Sequence, residues 1–388
     1  MKKFLIEIYT VFLWAIDSLY LLFRENNSNK SDSVLLVRVD NIGDFVLWLS
    51  SVDQIRKKFN DKKLILVANK SFSELAKDTG YFDQVIAVDV HKFTYSIWYR
   101  WNMMSRVSKL NPRIAIQPCY SRNFHIGDSL IRVSNATNRV GSVGDLNNIS
   151  VWQKAISDRW YTCLNSSSNK LLMELERDAE FLSDLDIKVE GLQIPQLPTL
   201  SKLPKKLNIT EDYFIIFPGA SWVGRKWMLS SFAEIGMYIT REYGYKMVLC
   251  GIQSEFKDAE IVIENSLVDG AINLAGKTTL SQFCELVRGA KLLIGNDTSA
   301  VHIAAAVNTR SICLLGGGHY GRFMPYPSSI RGVKPIPVFS KMDCYNCNWR
   351  CTQVYDKGKA VPCITNIKVA DVVFVVKNIL SKAKVERI

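Results

Sequence analysis

Two glycine-rich loops that commonly mark nucleotide-binding sheets are missing from this chain of 388 residues. The turn after its first apolar strand reads VRVDNIGDFV, with one glycine instead of GxGxxG, so a dinucleotide pyrophosphate has no cradle there. No GxxxxGK[ST] segment occurs either. These absences argue against a dehydrogenase and a P-loop ATPase. Acidic residues are also in deficit: 37 Asp and Glu stand against 49 Lys and Arg, a net charge of +12. Such a surface attracts nucleotides, phosphorylated glycolipids, acidic membranes or nucleic acid. The basic residues are dispersed, without the interleaved aromatic stripe of a nucleic-acid binder, so no nucleic-acid partner is expected. With 48% apolar and 22% charged residues, the chain is globular and not disordered.

The length suits two domains of ordinary size. Residues 1–30 form a separate segment. Phe4 to Phe23 is a mostly apolar run of about twenty residues, nominally long enough to span a bilayer, but it carries Glu7 and Asp17. No small-residue cleavage site follows, which argues against a secretory signal. On a helical wheel Lys3, Glu7, Thr10, Asp17 and Ser18 share one narrow arc with Trp14 and Leu21. That pattern fits a helix lying in the membrane interface better than one spanning it. The alternative is a helix packed on its own protein or on a second subunit. Glu25 to Ser33 reads as a flexible joint.

From Val34 onward short apolar runs alternate with helix-length segments. Val34–Val39, Lys63–Ala68, Val85–Val88 and Arg113–Gln117 read as strands, with helices over Asp44–Phe59, Ser71–Thr79 and Trp98–Leu110. The pattern blurs between Ser121 and Asn169, where acceptor-contacting loops are expected, and a strong amphipathic helix covers Lys170–Leu185. A proline-bearing segment from Ile194 to a lysine pair, Lys205-Lys206, reads as the interdomain linker, giving domains 31–200 and 201–388. The alternation then restarts with strands Tyr213–Phe217, Lys246–Cys250, Ala271–Leu274, Lys291–Ile294 and Ser311–Leu315. Fully apolar strands between helices indicate α/β domains with parallel sheets covered on both faces. Two such domains bind ligands where the carboxyl ends of their strands line a cleft.

Three turns carry candidate chemistry. Asp44 follows Gly43 at the start of a helix, as a capping carboxylate or as a general base. PGASWVGRKW offers small residues that let amides approach an anion, with Ser221, Arg225 and Lys226 beside them; a solvated basic turn is the plain alternative. GNDTSAVHIAAA places Asp297, Thr298 and Ser299 where a helix begins, so its first amides suit a second anionic group. His302, one of four histidines, lies one turn in, as a ligand contact or a satisfied core residue.

Five cysteines (Cys119, Cys163, Cys250, Cys284, Cys313) read as small hydrophobes, mostly in apolar runs, and so many unpaired thiols suit the cytoplasm. The other four, Cys344, Cys347, Cys351 and Cys363, follow C-x2-C-x3-C-x11-C. They would suit a closed, structural zinc site; free buried thiols, disulfides and iron–sulfur ligation stay open.

Taken together, NIGDFVL, FPGASWVGRKW and INLAGKTTLSQFCELVRGAKLLIGNDTSAVHIAAA through LLGGG resemble glycosyltransferase family 9, the lipopolysaccharide heptosyltransferases and their relatives. The resemblance covers roughly Val34 to Gly318. It implies the GT-B fold, two Rossmann-like domains facing across a cleft, here behind an N-terminal apolar helix. It implies an inverting, metal-independent transfer with no catalytic cofactor, from a nucleotide-diphosphate sugar (ADP-heptose first) to a lipopolysaccharide or related lipid-linked glycan. Asp44 would be the acceptor-activating base. Ser221 and Lys226 would hold phosphate, Glu255 the nucleoside, and Asp297, Thr298, Ser299 and His302 the donor sugar and phosphate. The enzyme would work in the cytoplasm, peripheral on the inner membrane surface. The chain departs from the family in LWLSSVD, which lacks the proline many relatives have after the Gly-Asp turn, and in Ser299-Ala300, where many have glycine first. The resemblance therefore speaks to the reaction class more than to the sugar. A sugar-nucleotide epimerase of the same architecture, or a catalytically silent nucleotide-sugar-binding partner, would share the fold.

Overall fold

Buried apolar strands set the architecture, because a strand covered on both faces must lie inside a sheet flanked by helices. A computed structural model describes residues 2–24, 29–189, 191–200, 203–204, 207 and 209–385. Strands β1 (Ser31–Arg38), β2 (Lys63–Asn69), β3 (Gln84–Val88), β4 (Pro112–Gln117), β5 (Asn138–Ser142) and β6 (Cys163–Asn165) form one sheet in the order β3-β2-β1-β4-β5-β6. Strands β7 (Tyr213–Phe217), β8 (Lys246–Leu249), β9 (Ile272–Asn273), β10 (Leu293–Asn296), β11 (Ser311–Leu314) and β12 (Ile336–Val338) form a second, ordered β12-β11-β10-β7-β8-β9. Every pairing in both is parallel. Each order is the doubly wound Rossmann arrangement, with a topological switch beside its first strand: between β1 and β4, and between β7 and β10.

The chain separates into two compact units, residues 1–170 with 176–190, and 171–175 with 191–388. The proline-bearing segment packs on the second of these: Ile194 and Leu197 are buried, and the Leu197 amide donates to the Ala306 carbonyl at 2.8 Å. Lys205 and Lys206 lie outside the described residues. The joint expected over Glu25–Ser33 is shorter than its composition implied. Residues 25–28 lie outside the description, and β1 already begins at Ser31, whose amide bonds the Asn111 carbonyl at 2.9 Å.

The N-terminal helix α1 (Lys2–Phe23) meets its own protein with its polar arc. The Lys3 side chain lies outside the described residues. Asp17, 2% exposed, receives both Arg100 Nε and Nη2 at 2.6 Å, and Ser129 Oγ also donates to it at 2.6 Å. Arg100 is fully buried over the Phe93 ring and donates further to the His125 carbonyl at 2.9 Å. Trp152 Nε1 donates to Glu7 at 3.0 Å, and Tyr9 donates to the Thr94 carbonyl at 2.6 Å. Leu5–Phe23 is nevertheless long and apolar enough to cross a membrane by length and composition.

Removing one partner of a buried ion pair strands the other charge in the interior. Asp17→Ala is expected to destabilise the protein by about 3–5 kcal/mol, and Asp17→Ala with Arg100→Met to recover much of that. Denaturant unfolding measures both; an Asp17→Ala variant as stable as wild type would contradict the docking of α1.

Candidate active site

In the first unit β1 ends at Arg38 and the chain turns through Asp40 into helix α2 (Ile42–Lys58), at the edge of the β1/β4 switch. Arg38 is wholly buried and stacks over Trp48. Its Nε pairs with Asp40 at 2.7 Å and its Nη1 with Asp178 at 3.6 Å, while Nη2 donates to the Asp44 carbonyl at 3.2 Å. Burial opposes its charge, but Asp40, Cys119, Asp178 and Asp44 outweigh that and hold its pKa well above the ordinary value. The Cys119 thiol, pushed up by burial and by Asp40, stays neutral and donates to Asp40 at 3.2 Å.

Asp44 occupies the third position of α2 and accepts the Asn41 amide through Oδ2 at 3.3 Å, the second half of a capping box. The capping role is therefore real, and it uses one oxygen. The other oxygen has no partner among the described residues, and the residue is half-exposed. Its neighbours differ: Asp40 is committed to Arg38, and Asp53 pairs with Lys57 at 2.6 Å. Of these three, Asp44 is the one whose printed side-chain contact is a neutral amide and not a cation.

In the second unit the turn after β7 and the loop after β10 flank the β7/β10 switch. Asn296, the last residue of β10 and fully buried, joins them. Its Nδ2 donates to the Pro218 and Gly219 carbonyls at 2.8 and 3.2 Å, and its Oδ1 accepts the Trp227 amide at 3.0 Å. Trp227 is in turn buried and donates to the Ile367 carbonyl at 3.0 Å. Between these clamps lie Ser221, which is exposed, and Arg225 and Lys226, which are half-buried. Lys226 Nζ pairs with Asp258 at 2.8 Å. Arg225 Nη2 donates to the Asp297 backbone carbonyl, lies 3.4 Å from its carboxylate, and its guanidinium covers the Trp349 ring.

Glu255, like Asp297, is a buried acid of this set. Its carboxylate accepts the Ile252 amide at 2.9 Å and fills the space under Gly219, where an added Cβ would come within 2.1 Å of Oε1. Burial raises its pKa, opposed by the Ile252 amide and by nearby Lys226. Thr298 precedes the helix Ser299–Ala306 in an extended conformation, and its buried hydroxyl has no partner among the described residues. His302 is buried, with Nδ1 2.9 Å from the Tyr326 hydroxyl and its ring stacked on that tyrosine. Lys226, Glu255, Asp297 and Thr298 thus stand at the strand ends of this unit, and His302 lies one turn into the helix that follows β10. Asp44 belongs to the other unit.

Sequence reading passed over Arg38, Asn296, Asp258 and Trp349. An arginine closing an apolar strand, as in LLVR, signals a buried partner, and the asparagine stands inside the GNDTS motif itself. Trp349 sits on the cysteine loop, which folds over Gly316–Gly318: a Cβ at Gly317 would strike Tyr345, and one at Gly318 would strike Trp349. Asn346, Asn348 and Trp349 all hold left-handed backbone there, at φ of 67°, 50° and 57°. The four cysteines line one cavity with these rings. Among the described residues, however, no three His, Cys, Asp or Glu are grouped to hold a metal ion, so this arrangement does not meet the zinc expectation. Tyr345 and Trp349 line that cavity together with the four thiols. Burial raises the Cys363 pKa, opposed by the Gly317 amide and reinforced by the other three thiols.

Residues 173–346 match the family model described as Glycosyltransferase family 9 (heptosyltransferase). The chain is 32% identical over 128 residues to lipooligosaccharide heptosyltransferase 2 of Haemophilus influenzae, covering 31% of this chain and 36% of that protein. It is 28% identical over 130 residues to lipopolysaccharide heptosyltransferase 3 of Escherichia coli, 32% of this chain and 36% of that one. The match thus spans about a third of the length of these curated relatives. The fold extends further. The solved E. coli ADP-heptose LPS heptosyltransferase II superposes with a TM-score of 0.65 at 16% identity, over 91% of this chain and 99% of that one. A family 9 glycosyltransferase of Veillonella parvula gives 0.66 at 16% identity, over 91% and 98%. The iron-containing dodecameric glycosyltransferase TibC of enterotoxigenic E. coli gives 0.53 at 15% identity, over 92% and 79%. The chain is family-9-like in the sequence of its second half and GT-B-like in fold along nine tenths of its length.

Two substitutions test the second-unit set. Lys226→Ala should leave folding intact and weaken nucleoside-diphosphate binding by about ten- to a hundredfold, the 1.5–3 kcal/mol of a charged hydrogen bond. Asn296→Ala should lower stability by about 2–3 kcal/mol by orphaning buried carbonyl and amide groups. Calorimetric titration with ADP and thermal unfolding check the two; an unchanged Kd for Lys226→Ala removes that lysine from the site.

Proposed function

We propose that this protein is an inverting glycosyltransferase that needs no metal ion or other cofactor for catalysis. It moves a sugar from a nucleoside-diphosphate donor, ADP-heptose first, to a lipid-linked glycan of the lipopolysaccharide type. The carrying observation is the pair of switch-point sites: a cation-and-amide set on one Rossmann-like unit, and on the other a carboxylate whose neighbours are neutralised while it keeps a free oxygen. The family match over the second half supports the same reading, as do relatives named heptosyltransferases and a related E. coli enzyme solved with ADP-2-deoxy-2-fluoro heptose.

Each residue's task follows from its chemistry. Lys226 brings a mobile positive charge to the diphosphate, whose negative charge grows as the glycosidic bond breaks. The first amides of the helix Ser299–Ala306 and the hydroxyls of Ser221 and Thr298 donate to phosphate or sugar oxygens. These donors supply the electrophilic assistance that a divalent cation gives other transferases. Glu255 accepts hydroxyl groups of the nucleoside. Asp297, tied to Arg225, fixes the loop that meets the donor sugar, and His302 braces the helix behind it. Asp44 takes the proton from the acceptor hydroxyl as that oxygen attacks the anomeric carbon opposite the leaving diphosphate, so configuration inverts. A lipid-linked acceptor and a cytoplasmic nucleotide sugar place this chemistry at the inner face of the cytoplasmic membrane.

Asp44→Asn separates base from cap. The amide oxygen can still accept the Asn41 amide, so folding should hold. Without a basic oxygen, turnover should fall by roughly 10²–10⁴-fold while donor affinity barely moves. Initial rates of nucleoside-diphosphate release, read beside donor titrations, decide it: near-normal turnover in folded, donor-binding Asp44→Asn assigns the base elsewhere.

A further inference from the structure

Helix α1 is amphipathic in the reverse of the usual sense for a surface helix. Its carboxylates face the protein, as the Asp17–Arg100 pair and the Glu7–Trp152 bond show. Its outward arc, about 120° wide at 100° per residue, holds Leu5, Ile8, Phe12, Leu19, Leu22 and Phe23, all exposed. No charged residue interrupts that arc among the side chains described. The apolar strip continues onto the neighbouring segment. Tyr9 stacks on Tyr95 with ring centroids 5.9 Å apart, and Tyr95, Ile97 and Trp98 are all exposed, Trp98 by 82%. A soluble surface rarely leaves so large a contiguous apolar patch uncovered.

Charge says what covers it. Around the carboxyl end of α1 lie Arg24, Lys30, Arg132 and Arg139. Arg132 donates to Ser18 at 3.1 Å, Lys30 to Asn111 and the Asn135 carbonyl, and Arg139 to the Trp160 and Ala136 carbonyls. Among the described residues these last three hydrogen-bond neutral acceptors, and Asp17, the carboxylate near Arg132, is already paired with Arg100. Burial first, then Arg24 and Arg139, lowers the Lys30 pKa, which records how close the cations lie. At the amino end the sequence adds Lys2 and Lys3. Two copies joined through this strip, parallel or antiparallel, would set basic end against basic end. An anionic bilayer instead accepts the apolar strip, seats tryptophan and tyrosine at headgroup level, and attracts the cations.

We infer that the outer face of α1, extended by Tyr95, Ile97 and Trp98, is an embedded docking face for an anionic lipid bilayer. The helix lies in the plane of the interface, held to its domain by the Asp17–Arg100 pair. Crossing the bilayer would pull that pair apart and expose Arg100. The inference deepens the lipid-linked acceptor reading, but it is tested by binding and not by transfer.

The test uses the full chain and sedimentation with vesicles of phosphatidylcholine, with and without phosphatidylglycerol. Wild type should partition onto the phosphatidylglycerol vesicles and less onto phosphatidylcholine alone, with high salt weakening but not abolishing attachment. Phe12→Glu with Leu19→Glu alters two exposed positions, so it should keep the melting temperature and ADP affinity while losing roughly tenfold or more in partitioning. Trp98→Ser should lose several-fold. Wild type left in the supernatant with both vesicle types overturns the inference, as does a double-glutamate variant that binds like wild type. So does a lipid-free dimer that the double variant dissolves without any change in vesicle binding. Retained ADP affinity in a variant that no longer binds vesicles separates this question from the transferase reading.

Discussion

The Asn296 carboxamide closes the seam on which the second-unit site depends. A doubly wound sheet opens a crevice where neighbouring strands send their connections to opposite faces, and that opening is useful only if its two lips are held. Here one side chain spans both lips, donating to the turn after β7 and accepting from Trp227 beyond it. Lys226 keeps its place relative to Asp297 because those backbone segments cannot drift apart, and Glu255 packs against Gly219 of the same turn. Arg38 does comparable work in the first unit: fully buried, it pairs with Asp40 and Asp178 and holds the start of α2 through the Asp44 backbone carbonyl, not its carboxylate. The two halves use different chemistry for one purpose, a polar group buried at a switch point and satisfied by the loops it must hold.

Much of this arrangement was legible in the chain. Apolar runs separated by helix-length segments gave strands that agree with β1 to β4, β7 to β11 and their helices within a residue or two at most ends. The signal failed where strands are short and irregular. β5 reads NRVGS and β6 has three residues, so the stretch from Ser121 to Asn169 carried no run long enough to stand out. β12 is hidden in a proline-containing triplet at the edge of its sheet. The site motifs were legible as turns rich in small and charged residues. Their partners were not, because Asp258 and Trp349 come from sequence distant by tens of residues and meet the motif only in three dimensions. Cysteine spacing likewise indicated proximity, and the four thiols do share a cavity, but spacing could not show that Tyr345 and Trp349 pack among them.

The N-terminal helix shows how one pattern supports two readings. Composition showed a polar arc on an apolar helix, and the usual convention turns such an arc toward water. Arg100 reverses this. A guanidinium buried between Phe93 and the His125 carbonyl requires an anion, and Asp17 is the residue that reaches it. The partner lies 83 positions away, so no local window could reveal it. The same ion pair that docks the helix also sets which face it turns outward.

The proposed reaction moves a sugar from a nucleotide donor to a lipid-linked acceptor. The most direct measurement is the release of ADP from ADP-heptose by the purified full-length protein, with and without a truncated lipopolysaccharide acceptor in anionic vesicles. ADP should appear only when donor and acceptor are both present, in step with a glycolipid heavier by one sugar and of inverted anomeric configuration. Isomerisation of the donor without acceptor, or tight donor binding with no transfer to any lipid-linked glycan, would contradict the proposed reaction.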